Sequence, residues 1–224
     1  MREIVMDTET TGLVPAEGHR IVEIGCVELW NHVPTGKTYH QYINPGRPMP
    51  AEALAVHGLD DAFLAPMPTF AEVADAFLAF VGDATLVIHN AAFDMAFLNA
   101  ELGWADCPVL PARQARDTLE IARRRFPGAQ NSLDALCRRF GVDNSAREKH
   151  GALLDSEILA EVYLELIGGR QPGLSLTSAA NAGAETSAPA RRRPTPLPSR
   201  LTEEEAAQHA AFVKTLGPDV LWRD

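Results

Sequence analysis

Cysteine is scarce. Cys26, Cys107 and Cys137 are scattered over 224 residues with no CxxC pair among them. That excludes a disulfide framework and a thiolate zinc site, and fits reduced thiols in a cytosolic protein. Long apolar runs are missing too. None approaches the roughly 20 residues that span a bilayer, so no membrane association is expected. The N-terminus lacks the charged-then-apolar pattern of a secretion signal. Positive charge is also in short supply: the net charge is −10. Such a chain is not expected to be a free-standing nucleic-acid binder. The deficit is uneven. Residues 1–167 carry 13 Lys/Arg against 24 Asp/Glu, whereas residues 168–200 carry 5 Arg against one Glu.

What is present suits a globular core. Hydrophobic residues make up 46% and charged residues 22%, enough for a domain of about 170 residues plus an appendage. Residues 1–9, Arg20–Leu29 and Lys37–Ile43 read as three strands of an antiparallel meander. Thr69 and Glu72 form a capping box for a helix to about Val81. Thr85–His89 is short and apolar, like a buried central strand. Asn90 opens a helix to about Leu102, and 113–117 fits a short strand whose Asp117 caps a helix to Phe126. Asn131 or Ser132 caps another helix, ended by Gly141. Ala152–Ile167 is a long helix with Leu154, Ile158, Val162 and Leu166 on one stripe. Strands followed by alternating helix and strand predict an α/β domain with a mixed sheet.

After Gly168-Gly169 the composition changes. Residues 177–200 are rich in Ser, Thr, Ala, Gly and Pro with no apolar periodicity, as expected of a disordered linker. Thr202 to Glu205 is a second capping box, opening a helix to about Leu216 with Gly217-Pro218 beyond it. Ala206, Ala210, Val213 and Leu216 lie near one stripe. A helix this short on a flexible tether is not stable alone, so its apolar side and the following Leu221-Trp222 predict a docking tail.

The chemistry lies in carboxylates. The opening MREIVMDTETTG ends its apolar run on Asp7 and Glu9. Residues i and i+2 of a strand share a face, so these two point together. Like charges so close need something positive between them. No lysine is nearby and Arg2 sits at the strand's far end, so a divalent cation is the natural candidate, the alternative being a solvated strand end. In HNAAFD, Asp94 stands one turn into a helix that follows a buried strand. In KHGALLD, His150 stands at a helix entrance and Asp155 in its first turn, on the side of Ile158 and Leu159. A core-facing Asp needs a partner.

DTETTG, HNAAFDMAFL and HGALLD resemble, in order and spacing, the three motifs of the DEDDh class of 3′–5′ exonucleases. NSLDALCRRFGVDNSAREKHGALLD and the terminal LWRD resemble, more narrowly, the epsilon family of proofreading subunits of bacterial DNA polymerase III. The likeness covers residues 1–170 and resumes at 202–224. It implies a ribonuclease-H-like fold, a mixed five-stranded sheet flanked by helices. Asp7, Glu9 and Asp155 would hold one Mg²⁺ or Mn²⁺, Asp7 and Asp94 a second, and His150 would be the general base. Thr10, Val56, His57 and Phe93 would meet the terminal nucleotide, with Val56-His57-Gly58 read as a loop. The domains implied are an exonuclease at 1–170, a sliding-clamp (beta) peptide at 171–176 anchored by Gln171, Leu174 and Leu176, a linker at 177–200, and a tail at 201–224. Through Leu221 and Trp222 that tail would bind the polymerase III catalytic (alpha) subunit. The substrate implied is a single-stranded or frayed 3′ end of primer DNA. His19, His32, His40, His89 and His209 are read as structural or surface residues. An RNA-trimming exonuclease and a silent scaffold are the alternatives. The appendage argues against the first, and the five filled catalytic positions against the second.

Overall fold

The computed structural model describes residues 1–145, 149–169 and 201–215. They divide between two units, and the first holds everything up to residue 169. Its strands are β1 (Arg2–Thr10), β2 (Ile21–Trp30), β3 (Val33–Tyr42), β4 (Thr85–Ile88) and β5 (Ala115–Asp117). Its helices are α1 (Ala51–His57), α2 (Asp61–Leu64), α3 (Phe70–Val81), α4 (Ala91–Trp104), α5 (Thr118–Arg125), α6 (Leu133–Phe140) and α7 (Ala152–Leu166).

The sheet order is β3-β2-β1-β4-β5. β1 to β3 form the expected antiparallel meander, and β4 and β5 add in parallel. The β2–β3 turn is made by Asn31 and His32, both at positive φ (50° and 67°), the twist that a tight hairpin needs. The parallel step from β4 to β5 requires a crossover, and α4 supplies it. β3 starts at Val33, four residues before the expected Lys37, because it extends along β2 as far as the hairpin.

Alternation along β1 splits the interior in two. Ile4 and Met6 belong to the larger core, with Phe70 and Phe77 of α3 and Phe97 and Leu98 of α4. Val5 belongs to a second core, with Val27, Val87, Leu159 and Tyr163. One face therefore packs on α3 and α4, the other on α7.

Two short helices, α1 and α2, lie where the sequence reading places no helix, and α1 takes in Val56 and His57 of the stretch read as a loop. Val56 and His57 are the last residues of α1, and Gly58 ends it in the left-handed conformation (φ 77°). The signal was a proline just before the helix and a glycine just after it, Pro50 and Gly58. The second unit contains α8 (Glu203–Thr215), opened by the Thr202/Glu205 box and burying no residue. Gln171, Leu174, Leu176, the 177–200 linker, Leu216, Leu221 and Trp222 lie outside the described residues. No described helix is long and apolar enough to cross a membrane.

Candidate active site

The alternation that divides the core also builds the site. Continuing Val5 along β1, Asp7 and Glu9 emerge on the α7 face. Continuing Ile4 and Met6, Thr8 emerges on the α4 face. β1 pairs with β4 only over Glu3, Ile4 and Val5. Beyond Val5 no described strand pairs with β1 on that side, and its end borders a cavity. Arg2 cannot neutralise this end: it binds Glu28 and the carbonyls of Phe80 and Val81 at the other.

α7 brings the remaining groups to Asp7 and Glu9. Its first turn runs against Gly25, which pairs with Asp7 across β1 and β2. A Cβ at Gly25 would lie 2.2 Å from the Ala152 carbonyl carbon, so only glycine admits the helix here. Ser156 Oγ, buried, shares its one proton between the Gly25 carbonyl at 2.9 Å and the Ala152 carbonyl at 2.7 Å. This seat sets Asp155, 3% exposed, beside the strand end. His150 Nδ1 lies 3.3 Å from Asp155 Oδ2, while the ring itself is half-exposed. The His150 amide donates to Val56 O at 3.3 Å, tying the entrance of α7 to α1. Ligand atoms of Glu9, His150 and Asp155 all fall within 4.8 Å of one another. With Asp7 they line a cavity of about 280 Å³.

Asp94 reaches the site from the opposite face. It stands in the first turn of α4, almost fully buried, and accepts a 2.7 Å hydrogen bond from Thr8 Oγ1. Burial pushes its carboxyl up to about 7, against the opposing pull of the Thr8 hydrogen bonds. Asp94 does not line the 280 Å³ cavity. It sits behind Thr8, which does.

A second cavity of about 460 Å³ adjoins the first through Thr8 and Glu9. Thr10, Val56, His57 and Phe93 all line it. Val56 is half-exposed, and Phe93 packs on Phe97 with centroids 5.0 Å apart. His57 is buried. Its Nδ1 accepts the Leu59 amide at 3.0 Å, so the ring proton is on Nε2. Nε2 lies beside the Thr10 backbone without a well-aligned acceptor. Burial holds this imidazole below its usual range, hence neutral.

Residues 4–163 match the model of the RNase T exonuclease family. The chain belongs to this exonuclease family. It is 47% identical over 222 residues to the DNA polymerase III subunit epsilon of Rickettsia conorii, with 96% of each chain covered. It is 44% identical to the protein of that name from Escherichia coli over 237 residues, covering 99% of this chain and 97% of the other. Among solved structures, Exonuclease X in complex with 5′ overhanging duplex DNA is 26% identical with a TM-score of 0.57, over 73% of this chain and 90% of that one. The nuclease domain of 3′hExo, a DEDDh family member bound to rAMP, has a TM-score of 0.65 at 20% identity, over 74% and 91% of the two chains, and shares the fold.

The donor set fits the divalent cations that this family implies. Carboxylate oxygens converging with one imidazole nitrogen suit hard ions of the Mg²⁺ and Mn²⁺ type better than soft thiolate-seeking metals. The two cavities also include residues that motif reading passed over. His89, treated as structural, lines the carboxylate cavity with Ser132 and Asp134. His19 lines the 460 Å³ cavity beside Leu13, and its Nδ1 lies 3.1 Å from Thr11 Oγ1. The only sequence signal for these was position: His89 directly follows β4, and His19 precedes β2.

Proposed function

We propose that this exonuclease removes mispaired nucleotides from the 3′ end of primer DNA, as the proofreading subunit of a replicative DNA polymerase. The observation that carries the reading is the meeting of Glu9, His150 and Asp155 within 4.8 Å, in a cavity that Asp7 also lines and that adjoins one lined by Thr10, Val56, His57 and Phe93. Identity of 44–47% to subunits named epsilon, over nearly the whole chain, supports the assignment to DNA and to a polymerase.

Asp7, Glu9 and Asp155 would hold one divalent cation, and Asp7 and Asp94 a second. Bound there, two Mg²⁺ or Mn²⁺ ions would supply Lewis-acid activation of the attacking water and of the leaving 3′ oxygen. The protein's own residues do the rest. His150, oriented by Asp155 at Nδ1, would take the proton of the attacking water at Nε2. Val56 and Phe93 give the terminal base apolar surface, and the Thr10 backbone meets the terminal 3′-hydroxyl. The His57 Nε2–H offers a donor to the sugar or phosphate. Asp94, held by Thr8 Oγ1, would offer its carboxylate to the second cation.

The acidic composition means that DNA must be delivered by partners. The tail at 201–224, through Leu221 and Trp222, would bind the alpha subunit. Gln171, Leu174 and Leu176 would bind the sliding clamp, and 177–200 would be the tether. The test is co-purification with the polymerase catalytic subunit, followed by digestion of matched and mismatched primers with and without Mg²⁺. Mg²⁺-dependent digestion that favours mismatched 3′ ends is expected. Failure to associate, or a preference for single-stranded RNA, would overturn the reading.

A further inference from the structure

On the far side of the carboxylates lies a third cavity, of about 650 Å³, lined by His89, Asn90, Arg123, Asn131 and Ser132 among others. Its place in the sequence of cavities is what matters. His89 and Ser132 line both it and the carboxylate cavity. Thr8 and Glu9 line both the carboxylate cavity and the one assigned to the terminal nucleotide. The three therefore follow one another across the surface, with the carboxylates in the middle. A strand whose last nucleotide fills the 460 Å³ cavity, and whose scissile phosphate lies at the carboxylates, continues into the third cavity.

The third cavity has the right charge at its wall. α5 ends on three arginines. Arg124 pairs with Glu120 at 3.4 Å, and Arg125 donates to the carbonyls of Glu165 and Leu166. Arg123 has no hydrogen bond or ion pair among the described residues, and its charge acts on His89 across the cavity. An unpartnered guanidinium is notable in a unit as acidic as this one. The wall around it is fixed in advance. Buried Asn131 gives its amide to the carbonyls of Phe126 and Ala129. Asn90, in the left-handed conformation at φ 71°, has its amide held by Asp117 Oδ1 at 3.1 Å.

We propose that this cavity binds the nucleotide on the 5′ side of the scissile phosphate, with Arg123 taking that nucleotide's own 5′-phosphate. The proposal rests on the exonuclease reading of the carboxylate cavity. A planar guanidinium binds a phosphate through two parallel N–H donors, which fixes position as well as adding affinity. Such a contact carries no base preference. It suits an enzyme that must accept any sequence yet place one phosphodiester bond at the carboxylates.

Two dinucleotides isolate the contact. Thymidine dinucleotide with a 5′-phosphate (pTpT) and without one (TpT) differ only in the group assigned to Arg123. With the full chain and Mg²⁺, kcat/KM is expected to favour pTpT by about tenfold, the worth of one charge-assisted contact. The preference should come mainly from KM. In Arg123→Gln the ratio should fall toward one, and Arg123→Lys should keep part of it. On longer single strands, Arg123→Gln should lower the slope of log KM against log salt by about 0.7, one phosphate contact. Inhibition of long-strand digestion by the two dinucleotides gives the same ratio independently of their turnover. Equal handling of pTpT and TpT by the wild type, or a ratio that survives Arg123→Gln, overturns the proposal. A wild type that digests no DNA at all overturns instead the reading on which the proposal rests.

Discussion

α7 and α8 are similar helices with opposite fates. They have 15 and 13 residues, and each has acidic residues in its first turn. Nine residues of α7 are buried, and none of α8 is. α7 is seated by Gly25, pinned by Ser156, and filled out by Leu159 and Tyr163 in the second core. Within its own unit α8 has the Thr202/Glu205 capping box, and Phe212 stays 56% exposed. A cap contributes about 0.5–2 kcal/mol, and an isolated helix of this length is marginal in water. Length and capping thus do not decide whether a helix is anchored; the surface waiting for it does. For α7 that surface is β1 and β2. α8 has no such surface among the described residues, and the proposed polymerase contact would supply one.

The sharpest way to break the contrast is to remove what α7 carries. Asp155→Ala should lower digestion of single-stranded DNA by about three orders of magnitude or more, because a ligand of the reacting centre is lost. The fold should survive, since a buried like charge goes with it. Turnover within tenfold of wild type at saturating Mg²⁺ would remove Asp155 from the site. His150→Ala should cost about 10²–10⁴ in kcat, the usual worth of a general base, while divalent-ion binding is mostly kept. Calorimetric titration with Mn²⁺ checks the second half. Binding lost as completely as in Asp155→Ala would make His150 a ligand, not a base.

The seat of α7 comes next. Gly25→Ala forces a methyl against the Ala152–Leu153 backbone and should cost about 1–3 kcal/mol or more. Activity should fall further than the melting temperature alone explains, because Asp155 moves away from Asp7. Ser156→Ala removes one hydrogen bond, about 1 kcal/mol, and should lower the melting point by about 2–4 °C. Thermal melts beside initial rates separate the two effects. Removing residues 201–224 should have the smallest effect of all on free single-stranded DNA, namely none, yet abolish co-elution with the polymerase catalytic subunit in size-exclusion chromatography. A truncated chain that loses nuclease activity would show that the tail belongs to the catalytic fold, and the contrast would collapse.

The elements legible in the sequence are those with local causes. β1 could be read from its apolar run, and its face assignment from alternation alone. α3 and α6 announce themselves through Thr69 and Ser132, and Asp117 does cap α5. α1 and α2 were missed because seven and four residues between prolines leave no room for a periodic stripe. The first part of β3 was missed because Val33 to Gly36 are exposed and contain a proline, which reads as a turn. The acidic residues of the site were visible through spacing. Asp94 approaching from the opposite face through Thr8 was not, because alternation on one strand does not reveal which helix waits on each side. His89 and Arg123 were invisible for a similar reason: each is ordinary in its own segment and gains meaning only where β4, α5 and the turn before α6 converge.

The position of α7 at the end of its unit also sets when the enzyme becomes active. Proteins are made from the N-terminus at about 5–20 residues per second, so roughly 7–30 seconds separate Glu9 from Asp155 on the ribosome. Until α7 emerges, the nascent chain holds Asp7, Glu9 and Asp94 but lacks His150 and Asp155. Its second core is also unfilled, because Leu159 and Tyr163 have yet to be made. With the site as proposed, closing that core and completing the catalytic centre are one event. An unfinished chain would then be unable to cut, and a chain able to cut would, by the same docking step, have closed its second core.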